Sequence, residues 1–245
     1  MTQLCEHMVR VTLSSDLIAD FPSDCAGAHL KLVVPGKGES DGAFEAFVSK
    51  ANFKTEMRTY TIRHIRRDVS EIDVDIVAHG DLGRVGPWSR RTRPGDVIVI
   101  SRCGSPKLIT RGINRVLAAA DLAGFPALAA GLETLSADVV VDAFVEIPTV
   151  EDRPPVELAG GARLNWIVNP HSNEPSADLI AAIKAAPPPD ANTSVFVAAE
   201  FATVATLRAD FRGEHGVNRD RLYASSYWKA GADEPTHKIA KAAAA

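Results

Sequence analysis

The chain has 245 residues and a mass of 26.2 kDa; 46% of the residues are hydrophobic, 24% are charged, and the formal net charge is −4. This composition is typical of a globular protein and excludes a disordered or collagen-like chain. No apolar run reaches the roughly 18 residues that a membrane span needs. The N-terminus shows no secretory signal, and three widely spaced cysteines without a Cys-x-x-Cys pair predict a reducing, cytoplasmic location.

The first half of the chain predicts short β-strands, because runs rich in Val, Ile and Thr alternate with polar residues between turn signals. The predicted strands are Met8–Leu13, His29–Val34, Arg58–Ile65, Glu71–His79 and Asp96–Ser101. We expect no helix between them. Five or six short strands predict a small antiparallel barrel or sandwich, and we assign residues 1–105 to a six-stranded antiparallel β-barrel.

The second half changes to alternating strands and helices, which predicts a parallel α/β lobe over residues 106–245. The pattern changes among the glycines and prolines of residues 101–112. The predicted strands are Arg115–Ala120, Val139–Ile147, Arg163–Val168, Ser194–Ala199 and Arg221–Ser226, and the predicted helices are Pro126–Leu135, Asp178–Ala186 and Thr203–His215.

The run Arg58-Thr59-Tyr60-Thr61-Ile62-Arg63 is the most informative segment for function. On a strand, Arg58 and Tyr60 share one face. A guanidinium suits a phosphate and a tyrosine ring offers a stacking surface, so the pair fits a ligand that is anionic at one end and aromatic at the other, as a flavin dinucleotide is. Thr61 adds a hydroxyl for a ring nitrogen. The alternative is an ordinary exposed strand with a ladder of arginine and tyrosine.

A second segment, residues 75–96, runs from a strand into a glycine-containing loop and a single helical turn. The amides around Gly83 and Gly86, with Ser89 at the start of the turn, predict an anion-binding loop. The alternative is a solvated basic loop that Trp88 anchors to the core. Nucleic-acid binding is disfavoured because no interleaved aromatic residues or known motif accompany the arginines.

The segments RTYTIR, DIVAHGD, GPWSRRTRPGD and EHGVNRDRLYASSYWKAG occur in this order, and together they resemble the siderophore-interacting protein family of flavin-dependent ferric-siderophore reductases, within the ferredoxin-reductase superfamily. The resemblance extends from about His7 to Gly231. It implies an N-terminal FAD-binding barrel and a C-terminal NAD(P)H-binding lobe. The residues that it assigns to FAD are Arg58, Tyr60, Thr61, Arg63, His79, Asp81, Gly86, Trp88 and Ser89.

In the second half, the resemblance assigns Asp121 and Glu200 to cofactor binding, although this chain departs from the family pattern beside both residues. Leu122-Ala123 replaces a Glu-Thr pair, which makes nicotinamide use less secure than FAD binding. Trp228 has two interpretations: it packs against the cofactor, or it anchors the C-terminal tail to the core.

The resemblance implies one-electron reduction of a ferric siderophore, with electrons from NADPH, NADH or a ferredoxin and no protein-bound metal, because the iron arrives chelated. Lys54 and Lys229 are candidates for contact with an anionic siderophore, or are plain surface lysines. Two alternatives stay open at this point. One is a general NAD(P)H-dependent flavin or ferredoxin-type reductase, and the other is a non-enzymatic carrier of FAD or siderophore.

Overall fold

A computed structural model describes residues 1–49, 56–78, 83–104, 106, 109–110, 112–158, 162–171 and 175–244. The chain divides into two compact units, Met1–Pro106 and Lys107–Ala245.

The N-terminal unit is built on one six-stranded antiparallel sheet, in the order β1-β2-β5-β4-β3-β6. Its elements are β1 (Thr2–Cys5), β2 (Met8–Ser14), a 3₁₀ helix (Asp16–Asp20), β3 (His29–Val33), α1 (Asp41–Ser49), β4 (Arg58–Arg66), a 3₁₀ turn (Arg67–Val69), β5 (Glu71–Val77), α2 (Val85–Ser89) and β6 (Val99–Ile100). The predicted six-stranded antiparallel architecture is confirmed.

One hydrophobic core lies inside this unit, because alternate residues of neighbouring strands turn to the same side. Val9 and Val11 of β2 belong to the same cluster as Leu30 and Leu32 of β3, together with residues of β4, β5, α2 and the first 3₁₀ helix. This is the packing of a sheet that curls around its own interior.

Three sequence expectations for this unit need correction. A helix, α1, does lie between the strands, although we expected none. The first strand, β1, was not predicted; it has four residues and pairs with β2. The strand expected at Asp96–Ser101 is reduced to Val99–Ile100, since the preceding segment contains the turn at Arg93–Asp96.

The C-terminal unit is a five-stranded parallel sheet with helices, in the order β11-β10-β7-β8-β9. Its elements are β7 (Arg115–Ala120), α3 (Phe125–Leu132), β8 (Val140–Ile147), β9 (Arg163–Val168), α4 (Ala177–Ala185), β10 (Thr193–Glu200), α5 (Phe201–Gly213), β11 (Leu222–Trp228) and α6 (Glu234–Ala243). The parallel α/β architecture is confirmed. Helix α6 was not predicted.

The central strands β7 and β10 are buried along nearly their whole length, as strands covered on both faces of a parallel sheet are. Because the five strands are parallel, all their carboxyl ends lie at one edge of the sheet, which we call the carboxyl edge. In the described part of the chain, no helix has the length and hydropathy needed to cross a membrane.

Candidate functional site

Arg58 and Tyr60, two residues apart on β4, both line a cavity of about 160 Å³ in the N-terminal unit. The alternation of a strand places them on one face, as predicted. Tyr60 is half-buried and packs against the hydrophobic core. Arg58 donates to the carbonyl oxygen of Met57 at 3.2 Å. The cavity therefore offers a guanidinium and a phenol ring side by side.

Arg63 lies three residues after Tyr60 and five after Arg58, so the alternation of β4 turns its side chain to the opposite face, away from this cavity. The register with β5 shifts between Ile62 and His64, and Arg63 is only 2% exposed. Its Nε lies 3.8 Å from an oxygen of Asp75, a carboxylate that Arg10 also contacts through two hydrogen bonds of 2.7 and 2.8 Å.

Thr61 is also buried, at 6% exposure. As far as the described residues define the cavity, its lining includes neither Thr61 nor Arg63. The structure thus brings two of the four residues of the β4 motif to the cavity.

The loop before α2 supplies a second arginine. Gly83 has a φ of 76°, a conformation that favours glycine, and Arg84 follows it at the cavity wall. The Arg84 Nε lies 3.5 Å from an oxygen of Glu56, and the guanidinium lies 5.9 Å from the ring centre of Phe47. Arg84 Nη1 is buried and has no hydrogen-bond partner among the described residues.

Gly83 and Arg84 also line a larger neighbouring cavity of about 840 Å³. Its remaining lining is Gly36, Lys37, Gly38, Glu39, Pro87 and Arg91. Of the eight described residues that line it, three are basic and one is acidic, so the pair of cavities suits an anion that extends past Arg84.

Of the three predicted residues in α2, one lines the cavity. This is Gly86, where a Cβ would lie 3.5 Å from the Val77 carbonyl oxygen. Trp88 is 2% exposed and belongs to the hydrophobic core. The prediction that Ser89 starts the helical turn is wrong, because Ser89 is the last residue of α2 and its hydroxyl donates to the carbonyl oxygen of Gly86 at 2.8 Å. Trp88 therefore acts as the hydrophobic anchor, the alternative that the sequence left open.

Three predicted site residues, Lys54, His79 and Asp81, lie outside the described residues.

In the C-terminal unit, Asp121, Glu200 and Trp228 meet at the carboxyl edge, because each follows or ends a parallel strand. The Trp228 indole N–H donates to Asp121 Oδ2 at 2.6 Å, and the Gly124 amide donates to Asp121 Oδ1 at 2.9 Å. Glu200 accepts from the amides of Ala202 and Thr203 at the start of α5. Each of these three side chains therefore has a hydrogen-bond partner within the chain.

A third carboxylate at this edge, Glu146 of β8, was not singled out from the sequence. It is 4% exposed, and its Oε2 has no hydrogen-bond partner among the described residues. Burial raises the pKa of Glu146, and burial together with the nearby Glu146 charge raises the pKa of Asp121 to about 6. The only sequence signal for Glu146 was its position near the end of a predicted strand.

Lys229 directly follows Trp228, and its Nζ lies 4.4 Å from the centre of the Phe201 ring. This is a cation–π contact within the C-terminal unit. The lysine is half-buried, so part of it is accessible to an anion.

Comparison with known proteins gives the same division of the chain. Residues 1–106 match the family model of the siderophore-interacting FAD-binding domain, and residues 113–231 match that of the siderophore-interacting protein. The ferric vibriobactin reductase ViuB of Vibrio cholerae is 28% identical over 240 residues, covering 95% of this chain and 88% of ViuB.

An uncharacterized protein of Mycobacterium tuberculosis is 30% identical over 251 residues, covering 94% of this chain and 88% of that protein. Among solved structures, the siderophore-interacting protein SipS of Aeromonas hydrophila superimposes with a TM-score of 0.81 at 28% identity, covering 99% of this chain and 93% of SipS.

Proposed function

The chain belongs to the siderophore-interacting protein family, and from this membership and the cavity in its N-terminal unit we propose that it is an FAD-dependent ferric-siderophore reductase. The observation that carries the proposal is the grouping of Arg58, Tyr60 and Arg84 around one cavity in the unit that matches an FAD-binding domain.

The residues around the cavity fit FAD in three respects. Arg58 and Arg84 supply guanidinium groups for a diphosphate, which planar guanidinium forks bind well. Arg84 Nη1 is buried with a hydrogen-bonding capacity that the described residues do not use, and buried polar groups in native proteins are nearly always satisfied. Tyr60 offers a ring face for an aromatic group.

When bound, FAD supplies the conversion between a two-electron donor and the single electron that ferric iron accepts. The residues of this chain have simpler tasks. Arg58 and Arg84 would neutralise the charge of the diphosphate and orient it. Tyr60, which packs against the hydrophobic core, would hold the ring system of the cofactor. Rigid support of this kind fixes the orientation of a cofactor.

The proposed substrate class rests on the relative ViuB and on the coordination chemistry of iron. ViuB is named a ferric vibriobactin reductase, and we infer a ferric siderophore as the acceptor for this chain. Oxygen donors hold Fe(III), a hard ion, more strongly than Fe(II), so adding one electron releases the metal. Lys54 and Lys229 stay candidates for contact with an anionic siderophore, since basic residues attract anions.

The electron donor is NADPH, NADH or a ferredoxin. The resemblance assigns Asp121, Glu200 and Trp228 to the nicotinamide side, and a parallel sheet of this order is a fold that can hold a nucleotide.

Anaerobic reduction of the purified holoprotein tests the function. The flavin absorption is first bleached with dithionite, then ferric siderophore is added and Fe(II) is captured by a ferrous chelator. We expect the flavin absorption to return as Fe(II) appears, with two Fe(II) formed for each flavin. The gallium(III) siderophore, which binds alike but accepts no electron, should leave the flavin reduced.

A flavin that ferric siderophore does not reoxidise would refute the reductase function and favour the carrier. Arg58→Ala should lose FAD, whereas Arg93→Ala, at an exposed arginine of the same unit, should keep it. A colourless protein that binds no added FAD would refute the flavin assignment itself.

A further inference from the structure

The topology of the C-terminal sheet defines where a dinucleotide would bind. The chain passes from β7 outward to β8 on one side and from β10 outward to β11 on the other. The point between β7 and β10, where the strand order reverses, is the switch point of the sheet. In open parallel sheets the ligand binds outside the carboxyl ends at this point, with its diphosphate at a helix N-terminus.

The first helix at the switch point, α3, has no open amide in its first turn, a segment that the structure describes throughout. Asp121 accepts from the amides of Ala123 and Gly124 through its carboxylate and from the amide of Phe125 through its carbonyl oxygen. The next residue, Pro126, has no N–H. The anion position at α3 is thus filled by Asp121.

At the second helix of the switch point, α5, a carboxylate likewise accepts the hydrogen bonds of the N-terminal amides. Glu200 Oε2 accepts from the amides of Ala202 and Thr203, and Glu200 Oε1 accepts from the amide of Ala230 at 3.2 Å. A negative carboxylate lies where the positive end of the helix dipole would otherwise attract a phosphate.

Two further contacts close the crevice itself. Gly124 lies so near β10 that a Cβ at this position would be 2.0 Å from the Ala198 carbonyl oxygen. Trp228 at the end of β11 reaches past the intervening β10 to Asp121 at the end of β7. The switch point is therefore packed with the chain's own groups.

We propose that the carboxylates of Asp121 and Glu200 exclude the diphosphate of NADH and NADPH from the switch point, and so act as specificity residues against these donors. A bound diphosphate would place two negative charges against two carboxylates and would have to displace the hydrogen bonds that these carboxylates accept. Like charges held close together cost several kcal/mol. Leu122-Ala123, which adjoin Asp121, offer no polar side chain in compensation.

This inference concerns the donor of the proposed reductase, but its test measures binding alone. Calorimetric titration of the FAD-loaded protein with NADH and with NADPH at neutral pH should give no saturable binding below about 1 mM, the weak end of ordinary affinities. Asp121→Asn/Glu200→Gln should tighten binding by about tenfold or more. The control Glu214→Gln removes a charge from the opposite end of α5 and should change nothing.

A second measurement uses the wild-type chain, so the outcome does not depend on folding of the double variant. The groups that face Asp121 are Glu146 on β8, the Trp228 indole on β11 and the amides of its own turn. Because the pKa of Asp121 is raised to about 6, acidification removes one of the two repelling charges. ADP-ribose, which survives acid and keeps its diphosphate charge, should bind about fivefold more tightly at pH 5 than at pH 8.

Saturable micromolar binding of NADH or NADPH to the wild type, or weaker binding in the double variant, would overturn the proposal. So would an ADP-ribose affinity that does not change with pH. Failure of the reductase function appears elsewhere, as a flavin that ferric siderophore cannot reoxidise, so the two failures are distinguishable.

Discussion

Replacement of Arg84 by Ala should weaken FAD binding while leaving the fold intact. The side chain is 34% exposed in its ion pair with Glu56, whose side chain is 32% exposed. Such an exposed pair contributes about 0–1 kcal/mol to stability. A charge-assisted hydrogen bond to a phosphate contributes about 1.5–3 kcal/mol, which corresponds to roughly 10-fold to 150-fold in affinity.

Titration of apoprotein with FAD, followed by quenching of flavin fluorescence, measures this effect. FMN provides an internal comparison, because it has one phosphate and lacks the adenylate half. If the diphosphate passes Arg84 into the larger cavity, Arg84→Ala should reduce FAD affinity more than FMN affinity. Arg93→Ala serves as the control for the removal of one positive charge.

An FAD affinity within about twofold of wild type would refute the placement of the diphosphate. A twofold change corresponds to less than half of the smallest loss of binding free energy that we expect. An equal loss for FAD and FMN would keep Arg84 as a phosphate ligand but remove the larger cavity from the FAD site.

Three further predictions concern the framework. Gly124→Ala should lower the free energy of unfolding by about 1–3 kcal/mol or more, measured in urea, because the new Cβ would overlap the Ala198 carbonyl. In the control Gly213→Ala the new Cβ meets nothing within 4 Å, so stability should not fall. Equal effects of the two substitutions would contradict the close approach of Gly124 to Ala198. The raised pKa of Asp121 means that the folded chain holds this proton more tightly, so stability present below about pH 4 should fall as pH rises through about 6. Asp121→Asn should abolish this pH dependence of the free energy of unfolding, measured in urea. An unchanged pH dependence would show that another group causes it. Asp75→Asn should cost about 3–5 kcal/mol, since it breaks a buried pair with Arg10; a loss below about 1 kcal/mol in thermal unfolding would show the pair to be solvated.

The architecture was largely predictable, because it depends on periodicity. The strands at Arg115–Ala120 and Arg163–Val168 were predicted to the residue, and the buried strand β10 was found within one residue at each end. Elements that are short or that bury few apolar side chains were not found. Strand β1 has four residues, and α6 buries His237 while Ile239 stays exposed.

The site was predictable only where side-chain direction follows from alternation. Arg58 and Tyr60 share a face because they are two residues apart on a regular strand. Arg63 was placed with them by resemblance, but it lies an odd number of residues from both, so its side chain turns to the other face, beside Asp75. Alternation along β4 therefore separates Arg63 from the cavity residues, although the resemblance groups it with them.

The candidate FAD cavity and the switch point differ in whether the groups that would meet a diphosphate already have partners. At the cavity of the N-terminal unit, Arg84 Nη1 is buried and has no partner among the described residues. At the switch point of the C-terminal unit, Asp121 and Glu200 bind the helix amides that a diphosphate would need. Because buried polar groups need partners, the first arrangement supports the FAD site that we propose, whereas at the second the carboxylates already take the place of a diphosphate. We therefore expect a fold that can hold two nucleotides to hold one of them in this chain.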